Sequence, residues 1–488
     1  RLEVAGRLDA TGAELEPLGP VPEIPPGVEA VAVCLLHADL NAAHEEAVAG
    51  VLDDRSLDVS RSSSVSPEFR EYERTVTTVV NAYLRPACRA YVEGLGGLAG
   101  EVLVMTSGGG LMPVAEAALL PAALLLSGPA GGVRAGAAIA AACGFPDAVT
   151  FDMGGTSTDV CLVQGGVPEP APGRMVGGFP VRLPALDIHT IGAGGGSIAR
   201  LDPGGALVVG PESAGADPGP ACYGRGATAP TVTDADLVLG RIPADAAFPG
   251  LGRLDAEAAA KALEAAGATA EGVVAVVDAA MEQAIRAVTV ERGIDPRDLA
   301  LVAFGGAGPL HAVALAEALE MRAVIVPPRA GALSAVGLLC SPRQRELVRS
   351  WPDPGDHEGI GAALAELAEE AKAAVGGGTD GPGDITVEVA LDCRYAGQSH
   401  ELTVVSVDAF GEEHRRRNGY ARPGAPVEVV ALRARARRPA PLDPSDLPPV
   451  RRERMVGPAV AVEPDCTAWI PEGWKAEPHP SGAWVLTR

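Results

Sequence analysis

The chain of 488 residues carries a net charge of −24 and is 47% hydrophobic but only 3% aromatic. An acidic balance of that size excludes a nucleic-acid partner and a membrane-surface site, and no apolar run has the length and flanks of a membrane span. The length accommodates roughly two to four domains, and eight cysteines without a CxxC pair fit a reducing, cytoplasmic setting without a disulfide framework.

The chain opens at Arg1 directly in strand-like sequence, RLEVAGRLDATGAEL. It reads as entering a domain part-way, so an N-terminally shortened chain is expected. Residues 28–52 predict a buried strand, VEAVAVCLL, then a helix from about Ala42 to Leu52. Residues 67–95 predict a long helix on the spacing of Tyr72, Val76, Val79, Val80 and Tyr83, with Pro86 as a point of kinking. EVLVMTSGGGLMPVAEAALL reads as strand, glycine turn, helix. In LLLSGPAGGVRAGAAIAAACG, Gly131 and Gly132 are expected to precede an alanine-rich helix.

Residues 149–163, VTFDMGGTSTDVCLV, carry the most chemistry. Two apolar, β-branched runs flank a polar turn that Asp152 opens and Asp159 closes. Gly154 and Gly155 let the backbone bend so that its N–H groups converge on an anion. Thr156, Ser157 and Thr158 add hydroxyl donors. Asp152 repels phosphate directly but can hold a Mg²⁺ that binds it. A strand, not a helix, follows the glycines, which separates this turn from Rossmann and P-loop sites. No GxxxxGK[ST] occurs, and the three lysines, Lys261, Lys372 and Lys475, lie away from glycine loops. A plain hairpin with a tight polar turn satisfies the same local pattern.

Further along, DIHTIGAGGGSIA places Asp187 and His189 two residues apart on a predicted strand, facing the same side. Such a pair either binds a second divalent metal or orients a proton carrier; equally, it is a hydrogen-bonded pair that supports the glycine turn. Gly194, Gly195 and Gly196 form a second candidate anion nest. GPESAGADPGPACYGRG is a long ordered loop whose chemically capable members are Glu212, Asp217, Cys222 and Arg225. Cys222 reads as a structural thiol more readily than as a nucleophile, because no histidine lies near it in sequence. In TVTDADL, Thr233 or Asp234 is expected to cap a helix. Residues 255–292 are helical in pattern. AFGGAGPLHA reads as strand, glycine turn, helix; Gly305, Gly306 and Gly308 let a base or ribose approach the backbone, while His311 caps or packs more readily than it reacts. AVIVPPRAGALSAVGLL adds strand, loop and helix. Residues 376–384 read as a linker, and a β-rich region of residues 385–488 follows.

Together, HADLNAAHEE, PEFREYERTVTTVVNAYL, SGPAGGV, FDMGGTSTDV, DIHTIGAGGGSIA, GPESAGADPGPACYGRG, AFGGAGPLHA and PPRAGALSAVGLL, in this order, resemble the hydantoinase A / 5-oxoprolinase family over nearly the whole chain. The resemblance implies an α/β, two-lobed fold similar to actin, heat-shock ATPases and sugar kinases. It divides the chain into a remnant of the family's N-terminal region (1–66), a core with the nucleotide hairpin (67–350), the linker and the β-rich region. It makes Asp152 to Asp159 a phosphate hairpin of an ATP site, with Asp152 toward Mg²⁺, and Gly305 to Gly308 an adenosine loop. Family members begin with an earlier DxGGTFTD-type hairpin, and none precedes Asp152 here.

The implied activity is ATP-dependent hydrolysis of a cyclic amide, 5-oxoproline or a hydantoin. Asp187, His189, Glu212 and Asp217 are the candidates for handling substrate, metal or protons, and a hydantoinase-B-like polypeptide is the implied partner. Two rival readings share these motifs. One is a subunit of an ATP-dependent ketone carboxylase of the acetone or acetophenone type; the other is a non-catalytic nucleotide-binding or assembly subunit.

Overall fold

The computed structural model describes residues 1–53, 57–171, 173–246, 252–376 and 384–488. Apart from its two end residues, the expected linker 376–384 lies outside them. The chain divides into two compact units, each drawn from three separated segments: Arg1–Ser127, Ala171–Ala185 and Ser341–Pro441 form one, and Gly128–Pro170, Leu186–Cys340 and Leu442–Arg488 the other.

The first unit is built on a six-stranded sheet in the order Leu402–Val404, Thr386–Tyr395, Val427–Arg438, Arg343–Ser350, Leu111–Pro113, Leu103–Met105. Strand alternation explains both faces. Leu432, Ala434 and Ala436 pack with Leu367 and Ala371 of the helix Ile360–Val375, so the intervening Arg433, Arg435 and Arg437 fall on the opposite face. Buried Arg433 is paired with Asp392 (2.8 and 2.9 Å), Glu346 (3.2 Å) and Glu68 (3.3 Å). Burial works against its charge, and Asp392, Glu68 and Glu346 outweigh that cost, raising its pKa above the usual value.

The long helix spans Glu71–Leu95 and continues through Pro86. Its apolar stripe does not form the packing face, because Tyr72, Val79 and Tyr83 are exposed. The buried face is polar: Arg74, Thr77, Thr78, Asn81 and Arg85. That is tolerable because each finds a partner. Thr77 and Thr78 donate to the carbonyls of Glu73 and Arg74, each at 2.7 Å, Asn81 donates to Ser60, Arg74 pairs with Asp39 and Arg85 with Asp58. After the glycine turn near residue 108, a short strand, Leu111–Pro113, precedes the expected helix Val114–Leu119.

The second unit centres on a nine-stranded sheet. Its main path runs Ile188–Ile191, Thr158–Gln164, Ala148–Met153, Ala300–Phe304, Ala323–Val326, Trp484–Thr487, Lys475–Pro478, Met455–Val456. Ala148–Met153, Ala300–Phe304 and Ala323–Val326 are parallel neighbours. Their apolar runs are fully buried, as suits parallel strands covered on both faces. Helices Gly128–Ala142, Ala270–Val288 and Gly308–Ala318 pack on this sheet.

Gly131 and Gly132 lie inside the helix Gly128–Ala142 rather than before it. They are needed for close approach: a Cβ on Gly131 would fall 2.6 Å from the Ser334 carbonyl oxygen and one on Gly132 2.6 Å from the Phe304 ring, and a Cβ on Gly337 of the helix Leu333–Leu339 would fall 1.8 Å from the Gly131 carbonyl oxygen. The β-rich stretch 385–488 is divided at Pro441 between the two units. None of the described helices is long and apolar enough to cross a membrane. All eight cysteines are free thiols.

Candidate functional site

Strands Ala148–Met153 and Thr158–Gln164 pair antiparallel, with Asp152 opposite Asp159 and Met153 opposite Thr158. Gly154–Ser157 is left as the turn, closed where the Gly154 amide donates to the Ser157 carbonyl at 3.1 Å. The amides of Gly155, Thr156 and Ser157 donate to no backbone carbonyl among the described residues. They are the free donors an anion requires.

The two aspartates are neighbours across the hairpin and form no ion pair among the described residues. Burial, helped by the nearby Asp159 charge, pushes the Asp152 carboxyl up to about 7. Burial also raises Asp159, while the Thr190 hydroxyl, donating to it at 2.5 Å, opposes the rise. Two adjacent carboxylates with no protein cation suit a hard divalent ion such as Mg²⁺.

Two other glycine segments close on this turn. The Gly195 amide donates to Gly154 O (3.0 Å) and the Gly196 amide to Gly155 O (2.6 Å), while the Thr158 hydroxyl donates to Ala193 O (2.6 Å). A Cβ on Gly194 would lie 2.7 Å from the Thr156 amide nitrogen, so this position must be glycine. The expected second anion nest is therefore a splint. Its Gly195 and Gly196 amides bond to the Gly154–Ser157 turn, and the Gly194 amide to Ser197 Oγ (2.8 Å).

On the other side, Gly305 has φ +78°, and a Cβ there would sit 2.4 Å from Met153 O and 2.5 Å from Asp152 Oδ1. The Ala307 amide donates to Met153 O at 3.1 Å, and the helix Gly308–Ala318 starts immediately after. A cavity of about 220 Å³ opens between the turn (Gly154, Gly155) and the loop (Gly306, Ala307), with Tyr223, Ile242, Leu254 and Leu310 as its apolar wall. Gly308 packs against the strand backbone near Phe151 and Met153.

The helix Val232–Val238 ties these parts together. Its N-cap is Thr231, two or three residues earlier than expected, because Asp234 sits at the third helical position and completes a capping box. Thr233 donates to Gly195 O at 2.8 Å, and Asp234 accepts from the Ala221 and Cys222 amides. Cys222 is buried, and burial raises its thiol pKa; it is a structural thiol.

Asp236 lies 3.2 Å from His311 Nε2 in ion-pair contact, off the line of a hydrogen bond. His311 Nδ1 contacts Asp278 Oδ1 at 2.7 Å. His311 is wholly buried, and although burial opposes its charge, Asp236 and Asp278 push its pKa up to about 10. It is a fixed cation joining three helices, which matches a packing role.

The remaining candidates are spread out. Asp187 pairs with Arg292 at 2.5 Å. His189 is exposed, in register with Val160. Glu212 is exposed on the strand Leu207–Ser213, which takes up the start of the expected long loop, and Asp217 is exposed on the loop after it, which the Ala214 amide anchors to Gly196 O at 2.9 Å. Among the described residues, the one group of three close metal-ligating side chains is Glu463, Asp465 and Cys466. Its carboxylates already serve Arg452 and the Gly331 amide. Thr190 and the cavity-lining Thr467 have no sequence signature of their own, since only tertiary pairing brings them to the site.

Residues 74–346 match the model of the Hydantoinase/oxoprolinase family. An uncharacterized protein of Methanocaldococcus jannaschii is 38% identical over 83% of this chain, which spans 64% of that protein's length. Caprolactamase subunit alpha of Pseudomonas jessenii is 33% identical over the whole of this chain and 81% of its own. The crystal structure of that organism's ATP-dependent caprolactamase superposes with a TM-score of 0.82 at 29% identity, covering 99% of this chain and 81% of that one. 5-Oxoprolinase 1 of Arabidopsis thaliana is 33% identical over 78% of this chain, which spans only 32% of that protein.

Proposed function

Because the chain belongs to the hydantoinase/oxoprolinase family, we propose that it is the ATP-binding component of a cyclic amidase that opens 5-oxoproline, a hydantoin or a related lactam. The observation that carries this reading is the closure of two glycine segments around the Gly154–Ser157 turn, beside two carboxylates that lack a protein counter-ion. A lactam resists hydrolysis because amide resonance lowers its electrophilicity. Bound Mg·ATP would supply a phosphoryl group to the amide oxygen, which removes that resonance and opens the carbon to water, so that the ring C–N bond can break with release of inorganic phosphate.

The chain's own contribution is positioning and charge neutralisation. The amides of Gly155, Thr156 and Ser157, with the flexible Gly154 beside them, hold the phosphates. Asp152, next to Asp159, holds the divalent ion. The Gly305–Gly308 segment backs the nucleoside, and the Thr158 hydroxyl, engaged with Ala193 O, keeps the splint against the turn. Asp187, His189, Glu212 and Asp217 do not line the nucleotide cavity; we assign them to the substrate or partner side. The relative named as a subunit supports a second, hydantoinase-B-like polypeptide as partner, and the eight free thiols support a cytoplasmic setting.

The test is a coupled ATPase and ring-opening assay of the protein with its partner on 5-oxoproline, hydantoins, lactams and simple ketones. ATP turnover that rises with a cyclic amide is the expected result. Turnover driven by a ketone with bicarbonate instead selects the carboxylase reading, and ATP binding without any turnover selects the assembly-subunit reading.

A further inference from the structure

The segment Leu442–Arg488 holds none of the motifs that the sequence singles out, yet it reaches the nucleotide cavity. Within it, strands Ala459–Val462 and Thr467–Ile470 form a hairpin, with Val462 opposite Thr467. The second strand packs on the helix Gly308–Ala318 that opens from the glycine loop. The hairpin turn is fixed on both sides. The Gly331 amide donates to Asp465 Oδ2 at 3.0 Å, and the neighbouring Ala330 carbonyl accepts from the Gly305 amide at 3.0 Å. Arg452 grips Glu463 at 2.8 and 2.6 Å and donates to the Val326 and Pro327 carbonyls. The turn is thus wired to the loop that faces the ligand.

Thr467 lines the cavity together with Gly154, Gly155 and Gly306. It shares a strand face with Trp469, two residues on, and Trp469 packs against the Ile242, Leu254 and Leu310 cluster that walls the same cavity. Thr467 is 2% exposed, and its hydroxyl has no hydrogen-bond partner. A buried hydroxyl left unpaired is costly, and native structures rarely keep one without use.

We infer that Thr467 is a nucleotide-contacting residue whose hydroxyl bonds to the nucleoside, not to the phosphates, of the ligand held in this cavity. The inference rests on the nucleotide reading of the site. It extends the binding surface to a segment far from the glycine motifs in sequence, and it makes Thr467 a determinant of nucleoside recognition.

Calorimetric titration of the protein with Mg·ADP and, separately, with Mg·pyrophosphate tests it. Thr467→Val keeps the shape and removes the hydroxyl; Thr467→Ala is a second removal should valine perturb folding; Thr467→Ser restores the donor. In Thr467→Val the expected result is ADP binding weakened about tenfold, pyrophosphate binding unchanged, and an apoprotein melting temperature equal to or above that of the wild type. Thr467→Ser should return ADP binding to within about twofold of wild type. Unchanged ADP affinity in both removal variants overturns the inference. So does an equal loss of ADP and pyrophosphate binding, which marks a general distortion. A wild-type protein that binds neither ligand overturns the nucleotide reading itself, a result distinct from both.

Discussion

Asp152, half-buried, and His311, wholly buried, are both charge-coupled, with opposite consequences. Asp152 faces Asp159 without a counter-ion; on the proposed function, a divalent ion supplies one. Asp152→Asn should abolish Mg·ATP-dependent ring opening, while the metal-free protein melts no lower than wild type. Retained activity removes Asp152 from the mechanism. His311 is the reverse case, a cation satisfied inside the protein by Asp236 and Asp278. Its folded pKa, about 10, lies above the ordinary histidine value of 6.5. The folded state therefore binds the extra proton, so the stabilisation is complete below about pH 6.5 and is lost as pH rises toward 10. Urea denaturation across that range should show stability falling by up to about 1.4 kcal/mol per pH unit from this group. His311→Gln should flatten the slope. The sequence made Asp152, Asp159 and the glycines legible because turn chemistry is local. Asp236 was invisible as a partner of His311, because 75 positions separate the two in the chain.

At the scale of elements, local pattern gave the hairpin, the Ala300–Phe304 strand and the helix after it with little error, because each carries its own periodicity and turn signal. It failed where neighbours decide. The stripe on the helix Glu71–Leu95 has helical spacing but points to solvent, since polar partners on other segments claim the opposite face. Gly131 and Gly132 look like helix punctuation, yet they sit inside the helix Gly128–Ala142 because the helix Leu333–Leu339 crosses it at backbone contact. Gly337→Ala should force those helices apart and cost about 1–3 kcal/mol in urea denaturation. The splayed seam should also weaken ADP binding, because the loop ending in Ala330 holds Gly305. A variant as stable as wild type would show that the helices can separate freely.

Over the whole molecule, each unit is stitched from segments far apart in sequence, which no local reading reveals. In the first unit the stitch is electrostatic. Arg433 joins Glu68, 365 positions away, to Asp392 and Glu346 across the sheet. Removing the cation leaves the buried Asp392 without one among the described residues, while Glu68 keeps Arg182 and Glu346 keeps Arg435, so Arg433→Ala should destabilise this unit by about 3–5 kcal/mol, read as early loss of protease resistance on heating. High salt should not mimic the effect, because buried pairs are poorly screened. In the second unit the stitch is a strand, Trp484–Thr487, between Ala323–Val326 and Lys475–Pro478. Order of synthesis gives that arrangement a temporal meaning. The ribosome delivers the glycine loops well before the hairpin carrying Thr467, so a nascent chain released too early would have a half-walled socket. ADP-dependent protection from proteolysis would then appear only in chains translated past Thr487.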